Sequence, residues 1–122
     1  MEKCENLKSL QCVTAFFLLC QILNDIMYKM KIFLDTLQAV VEETEIEQEK
    51  ILSGCKEEEV VDARALLIKL MNLQGLYPAQ IGRLTGICQR SIPNYLQGFE
   101  ARVRARKILG MNYNNTRKIL GI

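Results

Sequence analysis

The sequence predicts an all-α protein, with a long N-terminal helix (or a helix pair) followed by a trihelical domain. Three observations carry this. No Gly or Pro occurs before Gly54, so nothing local interrupts a helix there. Apolar residues from Val13 to Val41 recur at alternating steps of three and four, the period of one helix face. Beyond Gly54 the apolar runs are shorter and are punctuated by Gly75, Pro78, Gly86 and Pro93, as expected of short helices joined by turns. Residues 1–54 are thus expected to form a helical association region, and residues 55–122 a basic helical domain with a helical tail.

The first region reads Val13, Phe16, Cys20, Leu23, Met27, Met30, Leu34, Leu37 and Val41, the a and d positions of four heptads. The g positions are apolar as well (Leu19, Ile26, Phe33, Val40), whereas the e positions after Phe17 are Asn24, Lys31, Gln38 and Glu45. A stripe this wide suits a bundle, or a helix packed both on a partner and on its own domain. Unbroken from Leu7 to Leu52, the helix would be roughly 70 Å long, more than a globule of this size can cover. The uncovered face implies a homodimer. Its dimerisation residues would be Phe16, Leu23, Met27, Met30, Leu34, Leu37 and Val41. The alternative is a break at Asn24-Asp25, with Asn24 capping a second helix.

The run "EETEIEQEK" (Glu42–Lys50) reads as a solvated face closing this helix. Acids near a helix C-terminus oppose the macrodipole, so they do not stabilise it. Ser53-Gly54 is the expected stop, with Gly54 in the left-handed conformation. The apolar run "CVTAFFLLCQIL" (Cys12–Leu23) is about 12 residues, where spanning a bilayer takes about 20. The start "MEKCENLK" lacks the basic character of a signal peptide. No membrane association is expected.

In the second region, "KEEEVVDARALLIKLMNLQG" opens with Glu57, Glu58 and Glu59, well placed at a helix N-terminus, and continues apolar on nearly every side. It reads as a central, buried helix ended by Gly75. "LYPAQIGRLTG" then starts a helix with Pro78 in its first turn, where a missing N–H costs nothing. Counting Pro78 as position one, Ile81, Ile87, Ile92 and Tyr95 fall at four, ten, fifteen and eighteen. Gly82 falls at five and Gly86 at nine. A helix-turn-helix needs apolar side chains at those four positions to knit its helices. It needs a small residue at five, where the helices touch, and Gly at nine for a left-handed turn. Thr85, at position eight, departs from the usual aliphatic residue. The fold class is therefore all-α, a long N-terminal helix (or helix pair) followed by a trihelical helix-turn-helix domain.

Pro93 adjusts the frame. If Cys88 capped the second helix, Pro93 would lie inside it and cost about 3 kcal/mol. With Ser91 as N-cap, the missing N–H of Pro93 is one of the groups left unbonded in any helix start. The second helix is expected to start at Arg90 or Ser91, with Gln89 in a lengthened turn. Ile92, Leu96 and Phe99 then form the core stripe. Gln89, Arg90, Ser91, Asn94 and Gln97 face outward. Arg suits guanine edges, and Asn and Gln suit adenine, in the major groove, so these five are the candidate base contacts. Arg83 on the preceding helix suits phosphate.

The spacing is similar to the helix-turn-helix families of bacterial regulators, recombinases and transposon proteins. More narrowly, "VVDARALLIKL" followed by "LYPAQIGRLTG" resembles the Trp-repressor-like C-terminal DNA-binding domain of DnaA-type replication initiators, over Val60–Phe99. That resemblance implies a trihelical domain that binds double-stranded DNA. It departs where the family carries an Arg-Asp-His-Thr-Thr segment of base and phosphate contacts. Here Ile87, Cys88, Gln89, Arg90 and Ser91 stand in its place, so the family's site preference does not transfer. No phosphate-binding loop accompanies the domain, so an initiator ATPase is not expected.

In the tail, "RKILG" occurs at Arg106–Gly110 and again at Arg117–Gly121. The expected arrangement is a helix from Phe99 to Leu109, a turn at Gly110 and a short helix from Asn114 to Leu120. A second helix-turn-helix turning at Gly110 is the alternative. Arg102, Arg104, Arg106, Lys107, Arg117 and Lys118 are candidate phosphate contacts.

Charge separates the halves. Residues 1–61 carry six Lys against twelve Asp/Glu, and residues 62–122 carry ten Lys/Arg against two acids. Only the second half is suited to a polyanion. The chain has no His and five Cys without a C-x-x-C pair, so neither metal site nor cofactor is expected. The cysteines are consistent with free thiols in a reducing cytoplasm. The function expected is sequence-specific binding of double-stranded DNA by a dimer, as a transcription regulator or mobile-element protein. A helical protein-protein adaptor is the alternative, and nothing suggests an enzyme or a small-molecule ligand.

Overall fold

The computed structural model describes the backbone of residues 2–122 and the side chains of residues 14–122. Its helices are α1 (Glu2–Thr44), α2 (Gln48–Leu52), α3 (Glu58–Leu73), α4 (Pro78–Thr85), α5 (Ile92–Ala105) and α6 (Lys107–Leu120). The described residues contain no strand, and none of their helices is long and apolar enough to cross a membrane. The chain divides into two compact units, one ending at Lys31 and the other spanning Ile32–Ile122. Composition alone places the division at residue 54. The second unit starts earlier because Ile32, Phe33, Thr36, Leu37 and Val40 of α1 are buried in its core.

The first unit is helical from Glu2 to Lys31. No break occurs at Asn24-Asp25. There the Lys29 Nζ meets Asp25 Oδ2 at 2.8 Å, one turn apart, a spacing that supports rather than interrupts a helix. Phe16, Leu23, Met27 and Met30 of the heptad stripe are exposed, as are Leu19 and Ile26 beside them. Val13, Cys4 and Cys12 lie outside the described side chains.

Within the second unit, Leu34 is exposed, Leu37 is buried, and Val41 packs partly against the core. Leu37 is therefore closed to the expected dimer seam, and Val41 keeps only part of its surface for one. The rest of their area is already removed from water by their own domain. The long helix also stops short of Leu52. Glu45 takes φ +58, and α2 follows as a separate helix. A left-handed non-Gly residue costs roughly 1–2 kcal/mol. The turn offsets this by bringing Ile51 to full burial and Ile46 and Leu52 against the core. An extended α1 would instead run acidic residues into its own C-terminus. Gly54 is not left-handed here, because the residue that reverses the chain is Glu45.

Arg64, not singled out by any sequence pattern, holds the link from α2 to α3. It is buried. Its Nε donates to the Ile51 carbonyl at 2.8 Å, and its Nη2 donates to the Cys55 carbonyl at 3.0 Å and to that of Ser53. Its Nη1 reaches the Tyr95 hydroxyl at 3.3 Å. Five donors in a rigid fork suit a cluster of loop carbonyls, so the charge is buried with partners rather than alone.

α3 is the central helix. Ala63, Ala65, Leu66, Leu67, Ile68, Leu70 and Met71 are all essentially inaccessible, and α2, α4, α5 and α6 pack around them. At its end, Gln74 Nε2 donates to Oγ1 of the buried Thr36 at 2.7 Å, tying α3 to α1. Gly75 then takes φ +97 and turns the chain toward α4.

Candidate nucleic-acid interface

α4 begins at Pro78, with the Tyr77 N–H donating to Gln80 Oε1 at 3.0 Å. It ends at Gly86, which adopts φ +76 and donates its N–H to the Gly82 carbonyl at 2.9 Å. A Cβ on Gly82 would lie 3.2 Å from the Ile87 carbonyl oxygen, so the chain leaving the turn passes close over position five. Thr85 accounts for its own departure from an aliphatic residue. It is buried, and its hydroxyl donates to the Ile81 carbonyl at 2.7 Å and accepts from the Ile87 N–H at 3.3 Å. The hydroxyl thereby bonds a backbone N–H of the turn that an aliphatic side chain would leave without this partner.

The turn runs on to Ser91, whose N–H donates to the Cys88 carbonyl at 2.9 Å. α5 starts at Ile92, with Ser91 in the N-cap position and Pro93 second in the helix. The start is thus one residue later than expected, and Gln89 and Arg90 both lie in the turn. Ser91 is not a side-chain cap. Its backbone is already near-helical, at φ −80 and ψ −26, and its hydroxyl makes no capping bond. A capping oxygen would accept from the N–H of the second or third helical residue, and the second is Pro93, which has none.

Ile92 and Phe99 are buried, and Tyr95 and Leu96 pack against the core. The opposite side of the turn and helix exposes Gln89, Arg90, Asn94 and Gln97, with Ser91 half-buried among them. Arg83 is exposed on α4. The structure therefore brings the five candidate base-contacting residues onto one stretch, from the turn to the second turn of α5.

The remaining basic residues divide. Arg104, Lys107 and Lys118 are exposed. Arg102 and Arg106 are engaged within the fold. Arg102 Nη1 lies 3.3 Å from Asp62 Oδ1, Arg106 Nη1 bonds Asp62 Oδ2, and Arg106 Nη2 lies 2.9 Å from Glu58 Oε2. The hydrogen bond that Arg106 donates to Asp62 raises the pKa of its guanidinium above the ordinary value, with Glu58 adding to it and burial opposing it. Arg117 lies over the Tyr113 ring at 5.4 Å. The Tyr113 ring in turn meets Phe99 edge-on at 5.0 Å between centroids.

The tail is built differently from the expectation. The break falls at Arg106, in extended conformation at φ −134 and ψ 110, and α6 runs without interruption through Gly110. Gly110 is helical, and a Cβ there would meet Val103 Cγ1 at 3.3 Å. It serves close helix packing rather than a turn, so no second motif turns at Gly110. At this break the Arg106 guanidinium meets Glu58 and Asp62 on α3, and Leu109 of the next helix is buried. Asp62 gave one sequence signal of its role, as the one acid between Val60 and Leu73.

One cleft of about 650 Å³ opens between the end of α1, the start of α3 and the start of α6, lined by Thr44, Ile46, Asp62, Arg106, Ile108 and Leu109. Glu58, Glu59 and Lys107 also line it, so charge stands beside the apolar side chains even where Asp62 and Arg106 bond to each other. No protein-family model matches the chain, and neither a curated protein nor a solved structure matches it.

Proposed function

We propose that the second unit binds double-stranded DNA sequence-specifically as a helix-turn-helix domain. In this reading α4 and α5 are the motif and α5 is the recognition helix. The observation that carries the reading is the exposed row Gln89, Arg90, Asn94 and Gln97 at the start of α5, on the face opposite the buried Ile92 and Phe99. Amide and guanidinium groups in such a row are the side chains that read adenine and guanine edges. The left-handed Gly86 and the close approach over Gly82 support it. The resemblance of Val60–Phe99 to DnaA-type DNA-binding domains points the same way. Arg83, Arg104, Lys107 and Lys118 supply phosphate contacts. Arg102 and Arg106 contribute less, because Asp62 and Glu58 already neutralise them.

The protein acts in this reading as a dimer held by α1, which sets the spacing of two half-sites. Its role is that of a regulator or mobile-element protein in the cytoplasm. The exposed apolar stripe of the first unit also favours a second reading, a helical adaptor whose second unit is structural. A mobility shift with random-sequence DNA separates the two, since an adaptor shows no shift even at low salt. The specific test is selection from a random DNA library with the parent and with Arg90→Ala/Asn94→Ala. The double variant should lose the preferred site while retaining salt-sensitive binding to any sequence. An unchanged preference refutes the assignment.

A further inference from the structure

We infer that two copies of α1 pair antiparallel, about an axis beside Asp25, rather than as a parallel zipper. This rests on the self-association proposed above and specifies its geometry. The first unit exposes more apolar surface than a stable monomer leaves bare. Phe16, Leu19, Leu23, Ile26 and Met27 are 53–69% exposed, and Met30 is 41% exposed. At about 200 Å² for a whole side chain of this size, they present on the order of 700 Å² per chain. A stable interface takes about 800 Å² from each partner, and patches on monomers are commonly a few hundred. One face of one helix thus holds nearly the area a two-chain seam requires.

The flanks of the stripe decide the orientation. Leu19 and Ile26 occupy g positions and are apolar, whereas Asn24 and Lys31 occupy e positions and are polar. In a parallel pair each g residue lies against the e residue five positions on in its partner. That would set Leu19 on Asn24 and Ile26 on Lys31, covering polar groups with apolar ones on both sides of the seam. Reversing one helix brings g against g and e against e. Apolar then meets apolar along the g flank, and the polar e residues Asn24 and Lys31 no longer cover Leu19 and Ile26.

The register follows from Asn24. With the axis beside Asp25, Cys20 layers against Met30 and Leu23 against Met27. Ile26 meets its own copy on the apolar flank, and Asn24 meets its own copy on the polar flank, where two amides can bond each other. Sliding by one heptad would instead set Asn24 on Phe17 or on Lys31, whereas the proposed register sets Phe17 against Lys31, whose alkyl stem can lie along the ring while its ammonium reaches water. In the proposed register Cys20 and its copy lie ten residues apart along the seam, about 15 Å. A parallel seam would hold the two Cys20 side chains in the same layer.

Two variants of the full chain test this. One keeps Cys20 alone, through Cys4→Ser, Cys12→Ser, Cys55→Ser and Cys88→Ser. The other carries those changes with Cys20→Ser and Ile26→Cys. Each is sized by light scattering, checked for unchanged helix content by circular dichroism, and treated with a short bismaleimide. The expected result is a mass of two chains for both. Covalent dimer should form from the Ile26→Cys variant at least ten-fold faster than from the Cys20 variant. Faster linkage through Cys20 overturns the antiparallel seam in favour of a parallel one. Two-chain mass without linkage through either residue, or a four-chain mass, overturns the seam altogether. A single-chain mass for the parent removes the self-association itself, whatever the DNA-binding result.

Discussion

Two junctions follow one another in the second unit, each joining α5 to a neighbour, and they use opposite chemistry. The first, from Gly86 to Ser91, turns on a left-handed glycine and a threonine hydroxyl, and leaves Gln89 and Arg90 exposed. The second turns at a single residue, Arg106, whose guanidinium is tied to Asp62 and Glu58. In sequence both neighbourhoods are basic and contain a glycine. The difference teaches that a basic residue is available to a polyanion only where the fold has not given it a carboxylate. A glycine, likewise, marks a turn only where tertiary packing leaves it free to reverse the chain.

The largest expected effect comes from removing the anchor of the α2–α3 link, which also reaches α5 at the Tyr95 hydroxyl. Arg64→Met should cost about 2–4 kcal/mol, because buried carbonyls at Ile51 and Cys55 lose a charged donor. Chemical denaturation measures this, and a loss under 1 kcal/mol would show that water replaces the guanidinium there. Next is Gly86→Ala. No heavy atom lies within 4 Å of the added methyl, so the cost is the left-handed backbone alone, about 1–2 kcal/mol. A neutral result would mean that the turn rearranges.

Asp62→Asn probes the second junction, and its clearest effect is on binding rather than on folding. Under the proposed DNA binding, freed Arg102 and Arg106 should steepen the fall of affinity with salt, by at most about two phosphate contacts. An unchanged slope would place both guanidinium groups away from the DNA. Arg106 itself is no pH switch in the neutral range. Its folded pKa is raised, so its contribution is fully present below the unfolded value and fades only as pH rises through the folded one. The smallest effect is expected for Gly110→Ala. Helix propensity favours Ala by about 1 kcal/mol, and the 3.3 Å approach to Val103 Cγ1 takes part of that back. A net change within about 0.5 kcal/mol, set beside the loss at Gly86, would separate a packing glycine from a turning one.

Local chemistry alone determined a good deal here. The absence of Gly and Pro through residue 53, with apolar steps of three and four, made α1 legible, because helix period and propensity act within a few residues. Pro78, Gly86 and Pro93 placed both ends of α4 and the start of α5 nearly to the residue, since each restricts φ or removes an N–H whatever surrounds it. The outward row from Gln89 to Gln97 followed from those boundaries.

What only the tertiary structure decided is where long-range partners outweigh local preference. Glu45 takes a conformation that suits glycine so that Ile46 and Ile51 can reach the core. Leu37, and Val41 in part, leave the heptad seam for the same core. The helix breaks at Arg106, whose guanidinium meets carboxylates more than forty residues earlier, while Gly110 continues one. Arg64 is ordinary in sequence and becomes an anchor only because distant carbonyls converge on it. Burial and charge pairing are properties of neighbours in space, and the chain's order does not record them.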